Sequence, residues 1–213
     1  MSVFAVLPVK RFDAAKQRLA AGYEHERRRA LVAAMVEDVL SAVAKTRSIE
    51  RTILVSGDPI AQGLASELGA EVLPDPEDIG HVQAALAGIA KAEVEGADTV
   101  VLLPGDCPLL DPRELDSLLT GLPESYIGIV PDRHGSGTNA LVLKPPSAIV
   151  PAFGEGSRER HVELAREAGI PFEVVELPSL GLDLDTPADV IALTTRLMRE
   201  RGGAKRTAKV LGI

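Results

Sequence analysis

Thr99-Val100-Val101-Leu102-Leu103-Pro104-Gly105-Asp106-Cys107-Pro108 is an apolar run that stops abruptly on a carboxylate flanked by glycine and two prolines. A short continuous run of this kind, bounded by turn residues, predicts a buried strand over 99–103. The same pattern recurs along the chain, with further strands predicted at 3–7, 52–55, 70–73, 126–130, 139–144 and 172–176. Segments of helical period lie between them. Residues 24–45 place Leu31, Val32, Met35, Val36, Val39, Leu40 and Val43 at spacings of three and four, one apolar stripe suited to packing on a sheet. Other helices are predicted at 59–68, 82–94, 112–120, 158–168 and 187–200; at the last, Thr186 can cap and Pro187 suits the first turn. This alternation predicts an α/β fold, with a mostly parallel central sheet and helices on both faces.

The chain has 213 residues, enough for one substantial core and too few for two ordinary domains. It contains no internal repeat or linker, so residues 1–201 read as one domain, and the basic, glycine-bearing stretch 202–213 as a loosely ordered tail. Hydrophobic residues at 46% and charged ones at 25% are the balance of a globular protein. A formal charge of −8 argues against a broad phosphate-neutralising face, and 3% aromatics against a stacking platform, so no nucleic-acid partner is expected. No stretch reaches membrane-spanning length, and the opening Val3-Phe4-Ala5-Val6-Leu7 lacks the basic leader and cleavage site of a signal peptide. The single cysteine, Cys107, fits a reducing cytoplasm, the expected location.

In open α/β sheets, ligands sit beyond the carboxyl ends of the strands, so the segments that follow the strands are where chemistry is expected. After the first comes Leu7-Pro8-Val9-Lys10-Arg11-Phe12-Asp13-Ala14-Ala15-Lys16-Gln17-Arg18-Leu19, with four cations and no glycine. That composition excludes the Gly-rich dinucleotide fingerprint and the P-loop, both of which need glycine for close backbone approach to phosphate. Lys10, Lys16 and Arg18 are candidates to grip a triphosphate; a solvated basic loop is the alternative. Asp106, at the end of the fourth strand, suits Mg²⁺, which prefers oxygen ligands and commonly binds one or two carboxylates plus substrate phosphates. The alternative role, a helix cap, already falls to Asp111. In Gly181-Leu182-Asp183-Leu184-Asp185-Thr186-Pro187, two carboxylates two apart in an extended segment share a face, a costly arrangement without a positive partner. A metal shared with Asp106 would supply it; capping of the last helix is the alternative for Asp185.

Two flexible segments, Arg133-His134-Gly135-Ser136-Gly137-Thr138-Asn139 and Phe153-Gly154-Glu155-Gly156-Ser157-Arg158-Glu159-Arg160-His161, combine hydroxyls with cations. Since the second opens a helix at Ser157, either could hold an anion through backbone N–H groups and the helix dipole. In Gly80-His81-Val82-Gln83, Gln83 could read a base edge or lie on the surface.

These segments, in this order, resemble the phosphoenolpyruvate or 2-phospho-L-lactate guanylyltransferases of deazaflavin coenzyme synthesis over nearly the whole chain. The resemblance rests on Leu7-Pro8-Val9-Lys10 with Ala15-Lys16 and Arg18-Leu19, Gly105-Asp106-Cys107-Pro108, Gly137-Thr138-Asn139-Ala140-Leu141, Phe153-Gly154 to Arg160-His161, and Asp183-Leu184-Asp185-Thr186-Pro187. Two positions depart from the family: Gly80-His81-Val82-Gln83 stands where Gly-Leu-Asn is usual, and Gln17 where Ser is usual.

The resemblance implies a single-domain, Rossmann-like fold of the nucleotide-diphospho-sugar transferase type, with GTP as donor and magnesium as cofactor. The expected reaction is attack by the acid's phosphate on the α-phosphorus of GTP, with release of pyrophosphate. Asp106, Lys10, Lys16 and Arg18 are the expected catalytic residues; Leu7, Pro8, Gly80, Gln83 and Gly105 are expected to bind the nucleotide. Thr138, Asn139, Gly154, Ser157, Arg160 and His161 are expected to bind the acid, and Asp106 with Asp183 or Asp185 the metal. The resemblance to the family's bacterial branch favours phosphoenolpyruvate over 2-phospho-L-lactate. The partners expected are GTP, the phosphorylated three-carbon acid and the downstream coenzyme-assembly transferase, in a monomer or a homodimer. Another nucleotidyltransferase of this fold, of molybdenum-cofactor or sugar-phosphate type, and a non-catalytic nucleotide-binding module are the rival readings.

Overall fold

The computed structural model describes residues 2–19, 24–75, 77–78, 80–199 and 203–213. The strands are β1 Val3–Pro8, β2 Arg51–Ser56, β3 Glu71–Pro74, β4 Thr99–Leu102, β5 Tyr126–Pro131, β6 Thr138–Lys144 and β7 Phe172–Val174. The helices are α1 His25–Val43, α2 Pro59–Glu67, α3 His81–Val94, α4 Pro112–Leu119, α5 Ser157–Ala168, α6 Pro187–Arg199 and α7 Lys205–Leu211. Each strand and each of the first six helices coincides with a sequence-predicted element to within about two residues at either end, the usual uncertainty of boundaries.

The strands form one sheet in the order β3-β2-β1-β4-β6-β5-β7. All neighbours run parallel except β6, which is antiparallel to both β4 and β5. Along β1 the two-residue period divides the core: Val3, Ala5 and Leu7 join a cluster with α1, α2, α4 and α6, while Phe4 and Val6 join one with α3 and α5. Helices therefore cover both faces. The chain leaves β1 toward β2 and β3 on one side and returns to β4 on the other, which opens a crevice beyond the carboxyl ends of β1 and β4. α3 lies close to that crevice because Gly88 lets it approach the sheet: a Cβ there would stand 2.3 Å from Val6 Cγ1.

The segment expected to be a loosely ordered tail instead carries α7. Asp38, buried on α1, accepts the N–H of Arg206 at 3.2 Å and of Thr207 at 2.8 Å, satisfying the open amino end of α7, and Arg206 pairs with Glu37. The cap comes from a side chain 169 positions away, so local composition does not register it.

Candidate active site

The crevice is a cavity of about 650 Å³. It is lined by the end of β1 and the loop after it (Pro8, Lys10, Lys16), the start of α3 (Gly80, Gln83), the segment after β4 (Gly105, Asp106), Gly154 before α5 and Asp185 before α6. Val9, Val32, Met35 and Val36 give it an apolar wall.

The loop after β1 is fixed by Asp58, which was not singled out in the sequence. Its Oδ1 caps α2 by accepting the N–H of Ile60 at 2.9 Å, and its Oδ2 accepts the N–H of Phe12 at 2.9 Å. Phe12 is buried in the core, and beyond it Lys16 adopts a left-handed backbone with φ 54. A non-glycine residue there carries strain that surrounding contacts must hold. The contacts are at the other end of the side chain, where the Lys16 ammonium donates to both Asp106 Oδ2 and Asp185 Oδ1. Burial opposes the charge of Lys16, but the two carboxylates outweigh it and raise its pKa.

Asp106 and the 183–185 segment are tied through the backbone, Leu184 N–H donating to Asp106 O at 3.2 Å. Asp183 is placed differently from Asp185: it lies off the cavity lining and accepts from Asn139 Nδ2 at 3.4 Å. Burial first, then the charge of Asp106, pushes the pKa of Asp183 up. Asp106 Oδ1 is buried and, among the described residues, has no hydrogen-bond partner. Asp185 does not cap α6. Asp189, another residue the sequence reading passed over, turns back so that Oδ2 accepts from Asp185 N at 3.0 Å, Thr186 N at 2.6 Å and Thr186 Oγ1 at 2.7 Å, while Oδ1 pairs with Arg133. The capping signal was present as a carboxylate three residues after Thr186.

Other expected residues fall outside the cavity. Leu7 is buried in the core, and Arg18 is exposed and absent from the lining. Ser157 opens α5, but the first amides of that helix are already engaged: Ser157 N donates to Gly154 O at 3.0 Å and Arg158 N to Ser136 O at 3.2 Å. Anion capture by those two N–H groups would first have to displace these bonds. Thr138 and His161 are buried and bonded to each other, Oγ1 to Nδ1 at 2.9 Å, and Asn139 is turned toward Leu180 O at 2.7 Å. Arg160 faces backbone carbonyls behind the Gly154 loop. Cys107 is buried, with its thiol pushed up by burial and then by Asp106 and Asp183, which makes it a poor nucleophile.

Unlike α5, the start of α3 faces the cavity and has no acid in its first turn, so its amides present the positive end of the helix to the space beside Lys10 and Asp106. His81, in this turn, stacks edge-on against Phe153 with centroids 5.0 Å apart. Burial, the largest influence, lowers its pKa and favours the neutral ring.

Residues 3–206 match the family model described as guanylyl transferase CofC like. The chain belongs to that family. A protein of Conexibacter woesei named phosphoenolpyruvate guanylyltransferase is 47% identical over 99% of this chain and 96% of its own length. A protein of the same name from Sphaerobacter thermophilus is 42% identical over 89% of this chain and 91% of its own. A crystal structure from Desulfovibrio desulfuricans G20, described as a nucleotide-diphospho-sugar transferase, superposes with a TM-score of 0.78 at 20% identity, over 99% of this chain and 94% of that one. The fold is thus the single-domain nucleotidyltransferase architecture that the sequence pattern and the family resemblance imply.

Proposed function

We propose that this chain transfers GMP from GTP to the phosphate of phosphoenolpyruvate, with release of pyrophosphate. The observation that carries the reading is the convergence of Lys16, Asp106 and Asp185 in a cavity that also receives the amino end of α3, within a chain whose relatives bear that activity in their names.

In this reading an oxygen of the acid's phosphate attacks the α-phosphorus of GTP. One P–O bond forms, the bond between the α-phosphorus and its bridging oxygen breaks, and pyrophosphate leaves with that electron pair. The nucleophile is ionised at neutral pH, so orientation and charge neutralisation suffice and no protein base is required. Lys10, Lys16 and the first amides of α3 supply donors for the triphosphate, and the apolar wall of Val9, Val32, Met35 and Val36 excludes water from one side. Gln83, exposed and lining the cavity, would meet a base edge.

The donor set fits a divalent cation. Asp106 and Asp185 are close enough to share one ammonium, and all donors are hard oxygens; among the described residues Asp106 Oδ1 lacks a partner and no group of three or more such side chains forms a protein-only cage. Two carboxylates completed by substrate phosphates is the arrangement magnesium favours. Bound there, magnesium would offset charge on the reacting phosphates. Asp106 and Asp185 are the residues to hold it, with Asp183 behind them. We place the activity in the cytoplasm, where reducing conditions suit the single cysteine.

Purified protein incubated with GTP and Mg²⁺, and with phosphoenolpyruvate, 2-phospho-L-lactate or neither, tests the reading through pyrophosphate release and product mass. Release that depends on phosphoenolpyruvate supports it. Dependence on the lactate changes the acceptor, and GTP binding with no acid-dependent release overturns the assignment.

A further inference from the structure

The loop between β6 and α5 reaches the cavity with Phe153 and Gly154 and is gripped from behind by two side chains of α5. Arg160 Nε and Nη2 donate to Ala152 O at 3.2 and 3.0 Å, Nη2 also reaches Phe153 O at 3.4 Å, and Nη1 donates to Glu155 O. A single guanidinium thus gathers three carbonyls of one short loop. His161 provides the second hold. Its Nε2 accepts the N–H of Ala152 at 2.8 Å, which leaves the ring proton on Nδ1, facing Thr138 Oγ1 at 2.9 Å. Neither side chain lines the cavity.

A peptide is planar and its N–H points opposite its C=O. Drawing Ala152 O and Phe153 O toward Arg160 therefore turns the N–H groups of Phe153 and Gly154 the other way, on the residues that line the cavity. Among the described residues neither amide has an acceptor within the protein. Gly154, at φ +113, allows the turn, and a Cβ there would lie 3.7 Å from Arg160 Nη2. Successive unpaired amides in such a turn form a concavity for an anion. The Phe153 ring is held between His81 and His161, at 5.0 and 5.3 Å, which further fixes the loop.

We infer that Arg160 is a positioning residue for the acid substrate: it holds the Phe153 and Gly154 amides on the acid's anionic group without touching the acid itself. The inference rests on the function proposed above, and it separates the acid from the triphosphate, which meets Lys10, Lys16 and α3.

Arg160→Met keeps the aliphatic stem and removes every donor; Arg160→Lys keeps charge and part of the donor set. With Mg²⁺ present, Arg160→Met raises KM for phosphoenolpyruvate by about tenfold or more and leaves KM for GTP within about twofold, with Arg160→Lys in between. Amide hydrogen exchange without substrate accompanies the kinetics: in Arg160→Met, the Ala152 and Ser157 amides, now bonded to His161 and Gly154 O, exchange faster. An unchanged KM for the acid in the folded variant overturns the inference, as do equal rises for both substrates. If wild-type protein consumes neither acid, the functional reading fails by itself, and the exchange comparison still decides whether Arg160 orders the loop: unchanged exchange refutes it. Arg160→Lys serves the same comparison if Arg160→Met does not fold.

Discussion

The ammonium of Lys16 donates to Asp106 across 90 positions of sequence, joining the loop after β1 to the end of β4. Asp185 shares that ammonium, so one cation answers two carboxylates, with Asp183 adding a third acid close by. Lys16→Met leaves the acids facing each other without compensation. Its melting temperature without divalent cation should fall below that of wild type, and Mn²⁺ should recover more stability in the variant than in wild type. The raised pKa fixes the sign of the pH dependence: the Lys16 contribution is present in full below the ordinary lysine value of 10.5 and is lost only as pH rises through the higher folded value. Thermal melts with and without Mn²⁺ at neutral pH, repeated in alkali, check both statements.

Asp106→Asn preserves side-chain volume and removes the charge. Turnover measured as acid-dependent pyrophosphate release should fall by about 100-fold or more, with the circular dichroism spectrum unchanged. A variant that keeps wild-type turnover and its response to magnesium would remove Asp106 from the site.

The elements were legible in the sequence because their signals are local. The stripe from Leu31 to Val43 declares its period, and the stretch from Thr99 to Leu103 its continuous apolar run, each within one segment. The carboxylates and Lys16 were legible because charge is unusual where apolar strands end. Residues that act through distant partners were not. Asp58 looks like an ordinary cap of α2, yet it also holds Phe12, 46 positions away. Asp38 looks like a polar residue in α1, yet it caps α7. Arg160 and His161 were expected to bind the acid, and only the three-dimensional arrangement puts them behind the loop that meets the cavity.

Gly88 tests how closely α3 must approach β1. Its added methyl in Gly88→Ala would overlap Val6 Cγ1 at 2.3 Å and press Val55 Cγ2 at 3.1 Å, both packed side chains of the sheet. Overpacking of this kind costs about 1–3 kcal/mol, more than the helix propensity of alanine returns. Urea unfolding should show a lower midpoint, and retreat of α3 from the sheet should raise KM for GTP.

His161 is buried, and burial, followed by the nearby charge of Arg160, lowers its pKa to about 4. Above the ordinary value of 6.5 both folded and unfolded states hold a neutral ring. Between 6.5 and about 4 the unfolded state takes up the proton first, so stability declines as pH falls through that window. Melting curves from pH 7 to pH 4 should show this decline in wild type and a shallower one in His161→Gln.

Asp189 gathers the turn that presents Asp185. Burial opposes its charge, but donation from Thr186 and Asp185, with Arg133 beside it, outweighs burial and holds its pKa below the usual carboxylate value. Asp189→Ala removes the acceptor from two backbone amides and one hydroxyl and leaves Arg133 without its carboxylate. The loss of stability should be about 1–3 kcal/mol at neutral pH and should shrink as pH falls, because the wild-type carboxylate is then protonated as well. If the turn serves only to start α6, turnover of the folded variant will match wild type. Because Asp185 is attached to the same turn and reaches Lys16 from it, the expected result is a fall in kcat together with a higher Mg²⁺ requirement, read from pyrophosphate release across a magnesium titration.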